Sequence, residues 1–225
     1  MLILYRDSHY TVAYKEAGML SEHTGARERS LPHQLADALA MKALPHPVHR
    51  LDKEVSGANL FAIDAEAMAR ISSKDALCTL EKTYIAVCTV PLPQREGEMQ
   101  DLLFHDRQKN KSYTVKRKRA GVREGRLSYR LLTVVPHPES KEKELCFYAV
   151  TPHTGRTHQI RVQFAARGCP LVGDMRYGAR EKAPHIGLLC RRICFVHPYT
   201  AQTVTVDAPL PDFFPFTAVK EDALM

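Results

Sequence analysis

The sequence predicts an α+β fold with a largely antiparallel mixed sheet, flanked by helices and loops. Three observations predict it. β-prone runs outnumber helical ones, neighbouring runs are joined by short polar turns, and strand and helix do not alternate regularly as they do in a doubly wound protein. No repeat and no low-complexity linker divides the chain, so one domain over residues 1–225 is expected.

The elements follow in order. "LILYRD" and "HYTVAYKE" are short β-prone runs around the turn "RDSH", and Gly18 breaks the pattern. "LPHQLADALAMKAL" is rich in Ala and Leu and stops before Pro45 and Pro47, as a helix would. "HRLDKEVSG" reads as a loop and "NLFAID" as a strand. "AEAMARISSKDAL" reads as a helix with Asp64 as N-cap. "KTYIAVCTV" alternates as a strand does and is closed by the prolines of "PLPQ". Residues 94–126 are polar and basic, densest in "RQKNKSYTVKRKRAG". "RLSYRLLTVVP" and "ELCFYAVTP" read as strands joined by "HPESKEK". In "THQIRVQFAARG" Ile160, Val162 and Phe164 alternate, but Gly168 and Pro170 form a helix stop, so a helix is expected. "GLLCRRICFVHP" and "TVTVDAPL" close the chain as strands.

An apolar fraction of 44% is ample for a core, and no run approaches the roughly 18 apolar residues of a membrane span. No secretory leader is visible at the N-terminus, so the cytosol is the expected compartment. The net charge of +7 favours a polyanionic partner, although that signal is weak by itself. The six cysteines form no C-x-x-C pair and read as reduced, mostly buried thiols. His185, Cys190, Cys194 and His197 are zinc-ligand types at loose spacing. On a strand, however, Cys190 and Cys194 share a face while His197 points the other way, so no metal is expected.

The phosphate-loop, dinucleotide and nucleophile-elbow motifs are all absent. Three segments remain. "HRLDKEVSG" carries Asp52 between Arg50 and Lys53, "KTYIAV" carries Tyr84, and "TPHTGRTHQIRV" carries Arg156, His158 and Arg161. The last is a turn into a helix, where unpaired amides suit an anion. Each residue has a plain alternative. Asp52 alone reads best as a surface carboxylate in a pair worth ~0–1 kcal/mol. Tyr84 could be an ordinary sheet residue, Arg161 a solvated helix residue, and Lys116-Arg117-Lys118-Arg119 a solvated loop.

Taken together, the three segments resemble the RluA-type pseudouridine synthases. That family's pattern is H-R-L-D-x-x-T-S-G, then K-x-Y, then T-G-R-x-H-Q-[IL]-R. The matches are His49-Arg50-Leu51-Asp52 with Ser56-Gly57, then Lys82-Thr83-Tyr84, then Thr154-Gly155-Arg156-Thr157-His158-Gln159-Ile160-Arg161. Flanking agreement spans residues 2–212, and includes "GCPLVGDMRYG" and "FVHPYT". Val55 replaces the usual Thr, Glu16 a common Pro, and "ANLFAID" is more polar than the usual run. The RNA-binding extension that precedes some members is not expected, since the first strand starts at residue 2.

The resemblance implies a cofactor-free isomerase with a pseudouridine synthase-like catalytic domain, acting on uridines in structured RNA, ribosomal or transfer. Asp52 would be nucleophile or base. Arg161 would pair with it, and Tyr84 would stack on the target base. Arg50 would fill the gap left by the flipped nucleotide. Arg156, His158 and Lys116, Arg117, Lys118 and Arg119 are candidate RNA contacts, as are residues 107–119 generally and Arg176, Arg180, Arg191 and Arg192. His49 reads as structural. The rival readings are a non-catalytic RNA-binding module on the same scaffold and an RNA N-glycosylase that releases free uracil.

Overall fold

The computed structural model describes residues 1–25, 30–73 and 80–224. Cys78 and the end of the second expected helix, residues 74–77, lie outside the described residues. The opening hairpin is β1 (Ile3–Arg6) and β2 (Tyr10–Lys15). Helix α1 (Leu31–Ala38), a two-residue β3 (His46–Pro47) and β4 (Ser56–Ala62) follow. Then come α2 (Ala65–Ser72), β5 (Glu81–Cys88), β6 (Glu96–Asp106), β7 (Lys111–Val115), β8 (Val122–His137) and β9 (Ser140–Pro152). Helix α3 (Gln159–Ala165) precedes β10 (Leu188–Val196) and β11 (Thr203–Asp207). The α+β expectation holds: most pairings are antiparallel, and β4 with β10 is a parallel exception.

The chain has two compact units, each made of two chain segments. The first is residues 1–82 with 189–209, and the second is 83–188 with 210–225.

The first unit is organised on β2 and β4, paired antiparallel from Tyr10 with Ala62 to Lys15 with Gly57. Every residue of both strands is buried, so both faces are covered. On one side Ala13, Phe61, Leu31 and Leu35 pack together, with Met19 and Leu39 at the margin. Helix α2 starts where the sequence places it, and Asp64 Oδ1 accepts the amide of Ala67 at 2.8 Å. Helix α1 stops at Ala38, short of the expected prolines, and Ala40 takes a left-handed φ of 50°.

Gly57 is fixed by its surroundings. Its φ is +118°, and a Cβ would lie 2.3 Å from the carbonyl oxygen of Cys190 on β10. The Ser56-Gly57 pair that ends the Asp52 loop therefore marks where two backbones run too close for any side chain.

The second unit orders its strands β5-β9-β8-β6-β7, all antiparallel, which leaves β7 outermost. Strands β6 and β7 fall in the polar 94–126 segment that showed no strand signal. Met99 and Leu103 are among the few β6 side chains that go inside, so alternation is too sparse to read. The charged run 141–144 belongs to β9 rather than to the turn, because a sheet rim tolerates exposed charge. Helix α3 is buried from Gln159 to Phe164. Phe164 meets Tyr148 edge-on at 5.8 Å. The buried thiols Cys88 and Cys146 face each other across β5 and β9. Burial raises the thiol pKa of Cys88, Cys146 and Cys169.

Gly57→Ala combines left-handed strain with overpacking against β10. A loss of roughly 2–6 kcal/mol is expected in urea unfolding, against about 1 kcal/mol for Gly18→Ala, which shares the left-handed strain at φ +84° but meets no atom within 4 Å of its Cβ position.

Candidate active site

Asp52 is half-buried, on the loop before β4. The loop is held by its neighbours in the first unit. The amide of Leu51 donates to Ser21 Oγ at 3.0 Å, and that hydroxyl donates back to Leu51 O at 3.1 Å. The amide of Val55 donates to Asp52 O at 3.0 Å, closing a turn, and Val55 is buried. Asn59 on β4 donates to His49 O at 2.9 Å. The polar character of "ANLFAID" therefore has a purpose: Asn59 anchors the start of the loop. His49 Nε2 accepts the amide of Leu60 at 3.2 Å. Burial, aided by the charge of Lys82, lowers its pKa to about 3, so the ring stays neutral and can only accept there.

The strongest hold comes from a residue that sequence reasoning passed over. Lys15 ends β2 with no exposed surface. Its ammonium donates to Glu16 O at 3.0 Å, Met19 O at 2.8 Å and Lys53 O at 3.0 Å. One buried cation thus ties the "KEAG" turn to the residue after Asp52. Burial lowers its pKa to about 8, opposed by nearby carboxylates, of which Asp52 contributes most, then Glu54 and Glu16. Within its own unit the Asp52 charge favours the protonated form of buried Lys15, while Lys53 is exposed. A lysine within "YTVAYKE" looks like strand-end polarity, and only its burial reveals it. Arg50 is exposed and donates from Nη1 to Glu22 Oε1 at 2.7 Å, a surface pair worth little and readily given up.

The second unit carries Tyr84, Arg156, His158 and Arg161. Tyr84 lies on β5 opposite Val150 and is 8% exposed. Arg161, on α3, is buried and paired bidentately with buried Asp174: Nε to Oδ2 at 2.7 Å and Nη2 to Oδ1 at 2.9 Å. Asp174 was quoted in "GCPLVGDMRYG" but not singled out. Its signal is a question of balance, since an arginine on a buried helix requires an anion. The Arg161 guanidinium also lies over the Tyr177 ring, 5.2 Å from its centroid.

The Thr154-Gly155-Arg156 turn is organised around Gln159. Its Oε1 accepts from Thr154 Oγ1 at 2.7 Å and from the amide of Arg156 at 3.1 Å. The expected anion-binding amide of Arg156 is therefore already occupied. The Arg156 side chain stays exposed, its Nε on Glu124 O. His158 is buried in a left-handed conformation, with Nδ1 2.9 Å from the Tyr177 hydroxyl, so it organises the entry to α3 from within. Lys116, Arg117, Lys118 and Arg119 are exposed between β7 and β8, and none forms an ion pair among the described residues. Arg176 and Arg180 are exposed. Arg192 is matched by Asp207 at 2.6 and 2.8 Å, and Arg191 donates to Ala208 O, so these two are engaged locally.

Of the four zinc-ligand types, His197 pairs through Nε2 with Asp7 at 2.9 Å, Cys190 is buried beside Gly57, and Cys194 accepts from Thr205 at 3.5 Å. Among the described residues no three His, Cys, Asp or Glu side chains are grouped to hold a metal.

The RNA pseudouridylate synthase family model matches residues 9–166, through both units and all three motifs. The chain belongs to this family. The synthase is 30% identical over 221 residues to the uncharacterized RNA pseudouridine synthase YhcT of Bacillus subtilis, covering 93% of this chain and 68% of that one. It is 27% identical to the dual-specificity RNA pseudouridine synthase RluA of Haemophilus influenzae, covering 92% and 91%. It is 28% identical to tRNA pseudouridine synthase C of Vibrio vulnificus, covering 92% and 89%. Among solved structures, human RNA pseudouridylate synthase domain containing 1 superposes with a TM-score of 0.73 at 21% identity, over 92% of this chain and 82% of that one, which shows a shared fold. The synthase is thus an isomerase that acts on RNA uridines. No described helix is long and apolar enough to cross a membrane.

Two outcomes follow from the buried charges. Asp174→Asn leaves the Arg161 guanidinium without its counter-charge, and unfolding should lose roughly 3–5 kcal/mol. Lys15 is deprotonated in the native state above about 8 but keeps its proton in the unfolded chain up to about 10.5. The unfolded state therefore binds more protons within that window, and the term rises with pH there. Wild-type stability should gain on Lys15→Met by on the order of 3 kcal/mol between those pH values, read by denaturation at each pH.

Proposed function

We propose that this synthase isomerises uridines in structured ribosomal or transfer RNA, in the cytosol, with Asp52 as the catalytic carboxylate. The observation that carries the assignment is the Asp52 loop. In a chain of this family, the one motif carboxylate sits on a segment fixed by Ser21, Asn59 and the buried Lys15. Preorganisation of that kind is what a reacting group needs.

The reaction breaks the bond from uracil N1 to the ribose, turns the base, joins C5 to the same ribose carbon, and loses the C5 proton while N1 takes one up. Atoms and electrons balance within one nucleotide, so no cofactor is called for. Asp52 either attacks as a nucleophile or removes a proton as a base. Tyr84 stacks on the uracil. Arg161, oriented by Asp174, is the arginine that the family resemblance assigns to the reaction. Arg50 leaves Glu22 and fills the space vacated by the flipped nucleotide, recovering part of an extrusion cost of a few kcal/mol. Arg156 and the Lys116–Arg119 run meet phosphates. The relatives named for transfer RNA and for dual specificity support the substrate class.

The decisive experiment uses RNA tritiated at uracil C5. Asp52→Asn should abolish tritium release while the far-ultraviolet spectrum and RNA affinity stay at wild-type values. Turnover within tenfold of wild type would remove Asp52 from the chemistry, and free uracil among the products would convert the reading to an N-glycosylase.

A further inference from the structure

The outermost strand of the second unit carries residues that the catalytic reading does not use. On β7, Ser112 points inward: it is buried, its Oγ donates to Thr157 O at 2.6 Å and its amide donates to Tyr177 Oη at 2.8 Å. Alternation puts Lys111 and Tyr113 together on the other face of the strand. The Lys111 ammonium lies 5.7 Å from the Tyr113 ring centroid and 5.4 Å from that of Tyr177, within cation–π reach of both. Tyr113 keeps 36% of its surface exposed.

The charge of Lys111 has no carboxylate in ion-pair range among the described residues. Asp106, its partner across the ladder, gives Oδ1 to the amide of Lys109 at 3.1 Å. Arg161, the other cation over Tyr177, is already neutralised by Asp174. Lys111, like Arg176, is thus an uncompensated charge of this cluster among the described residues. The support beneath it is rigid, because Arg176 Nη1 donates to both Lys109 O and Asn110 O at 3.0 Å, tying the β6–β7 turn to the Met175–Tyr177 turn.

An open aromatic ring beside an unmatched ammonium on a fixed rim matches one ligand chemistry, a flat base with its phosphate. A base inside a duplex does not expose its face, whereas an unpaired one does. We propose that Lys111 and Tyr113 form a second RNA subsite, which takes an unpaired nucleotide of the substrate other than the target uridine. Its base stacks on Tyr113 and its phosphate meets Lys111. The subsite rests on the RNA synthase reading and deepens it: the substrate is gripped at a single-stranded stretch as well as at its target.

The test compares full-length wild type, Tyr113→Ala, Tyr113→Phe and Lys111→Met on a single-stranded RNA oligonucleotide carrying 2-aminopurine, and on the matching duplex. Stacking on Tyr113 should quench the probe in wild type and in Tyr113→Phe but not in Tyr113→Ala, whose single-strand affinity should fall on the order of tenfold. Lys111→Met should reduce the slope of log affinity against log salt by about 0.7 on single strands. Duplex affinity should stay within twofold of wild type in variants whose far-ultraviolet spectra match wild type. Equal quenching by wild type and Tyr113→Ala, or equal losses on duplex and single strand, would return both residues to an ordinary sheet edge. Wild-type isomerisation is scored separately. Failure there overturns the enzymatic reading, and failure of the Tyr113 series alone overturns only the subsite.

Discussion

A charge removed from water must be answered where it sits, and in the first unit that constraint falls on Lys15. Its ammonium has no exposed surface and is met by three main-chain carbonyls, from the turn after β2 and from the residue following Asp52. Those carbonyls are oriented only if both segments keep their paths. Burial of one cation therefore fixes two loops, and Asp52 inherits its position from them. At Glu16 it is the carbonyl, not the carboxylate, that makes the hydrogen bond to Lys15.

The second unit solves the same problem in the opposite way. Arg161 enters the interior on a seven-residue helix and brings a full charge with it. Here the answer is a carboxylate, Asp174, in the two-point geometry that a guanidinium favours. Tyr177 extends the arrangement. Its ring receives Arg161 and Lys111, and its hydroxyl meets His158 and the amide of Ser112. Helix α3 and the rim strand β7 thus share one tyrosine.

The architecture was legible wherever local pattern and burial agree. The opening hairpin, β5 and the Asp64 cap could be read directly, because each shows alternation or a capping oxygen. Helix α3 was legible only through its stop signals. Buried on all sides, it has no polar face to give a period of 3.6, and its Ile160-Val162-Phe164 spacing imitates a strand. Strands β6 and β7 were hidden for the opposite reason, having too few buried side chains to mark a face. For the candidate site, the three ordered motifs singled out Asp52, Tyr84 and Arg161, but not what holds them. Lys15 and Asp174 matter through burial and charge balance, which are properties of the folded chain, and His158 passed for a surface residue until the structure placed it inside.

The buried thiols carry one more implication. Cys88, Cys146 and Cys169 are shielded from solvent, and burial holds their protons on, so the nucleophilic thiolate is scarce in the native state. Alkylating reagents and peroxides then reach Cys88 and Cys146 only when β5 and β9 part, and Cys169 only when the turn after α3 opens. The molecule thus carries an internal clock of its own opening: the rate at which these sulfurs become labelled reports how often the second unit breathes, without any added dye or tag.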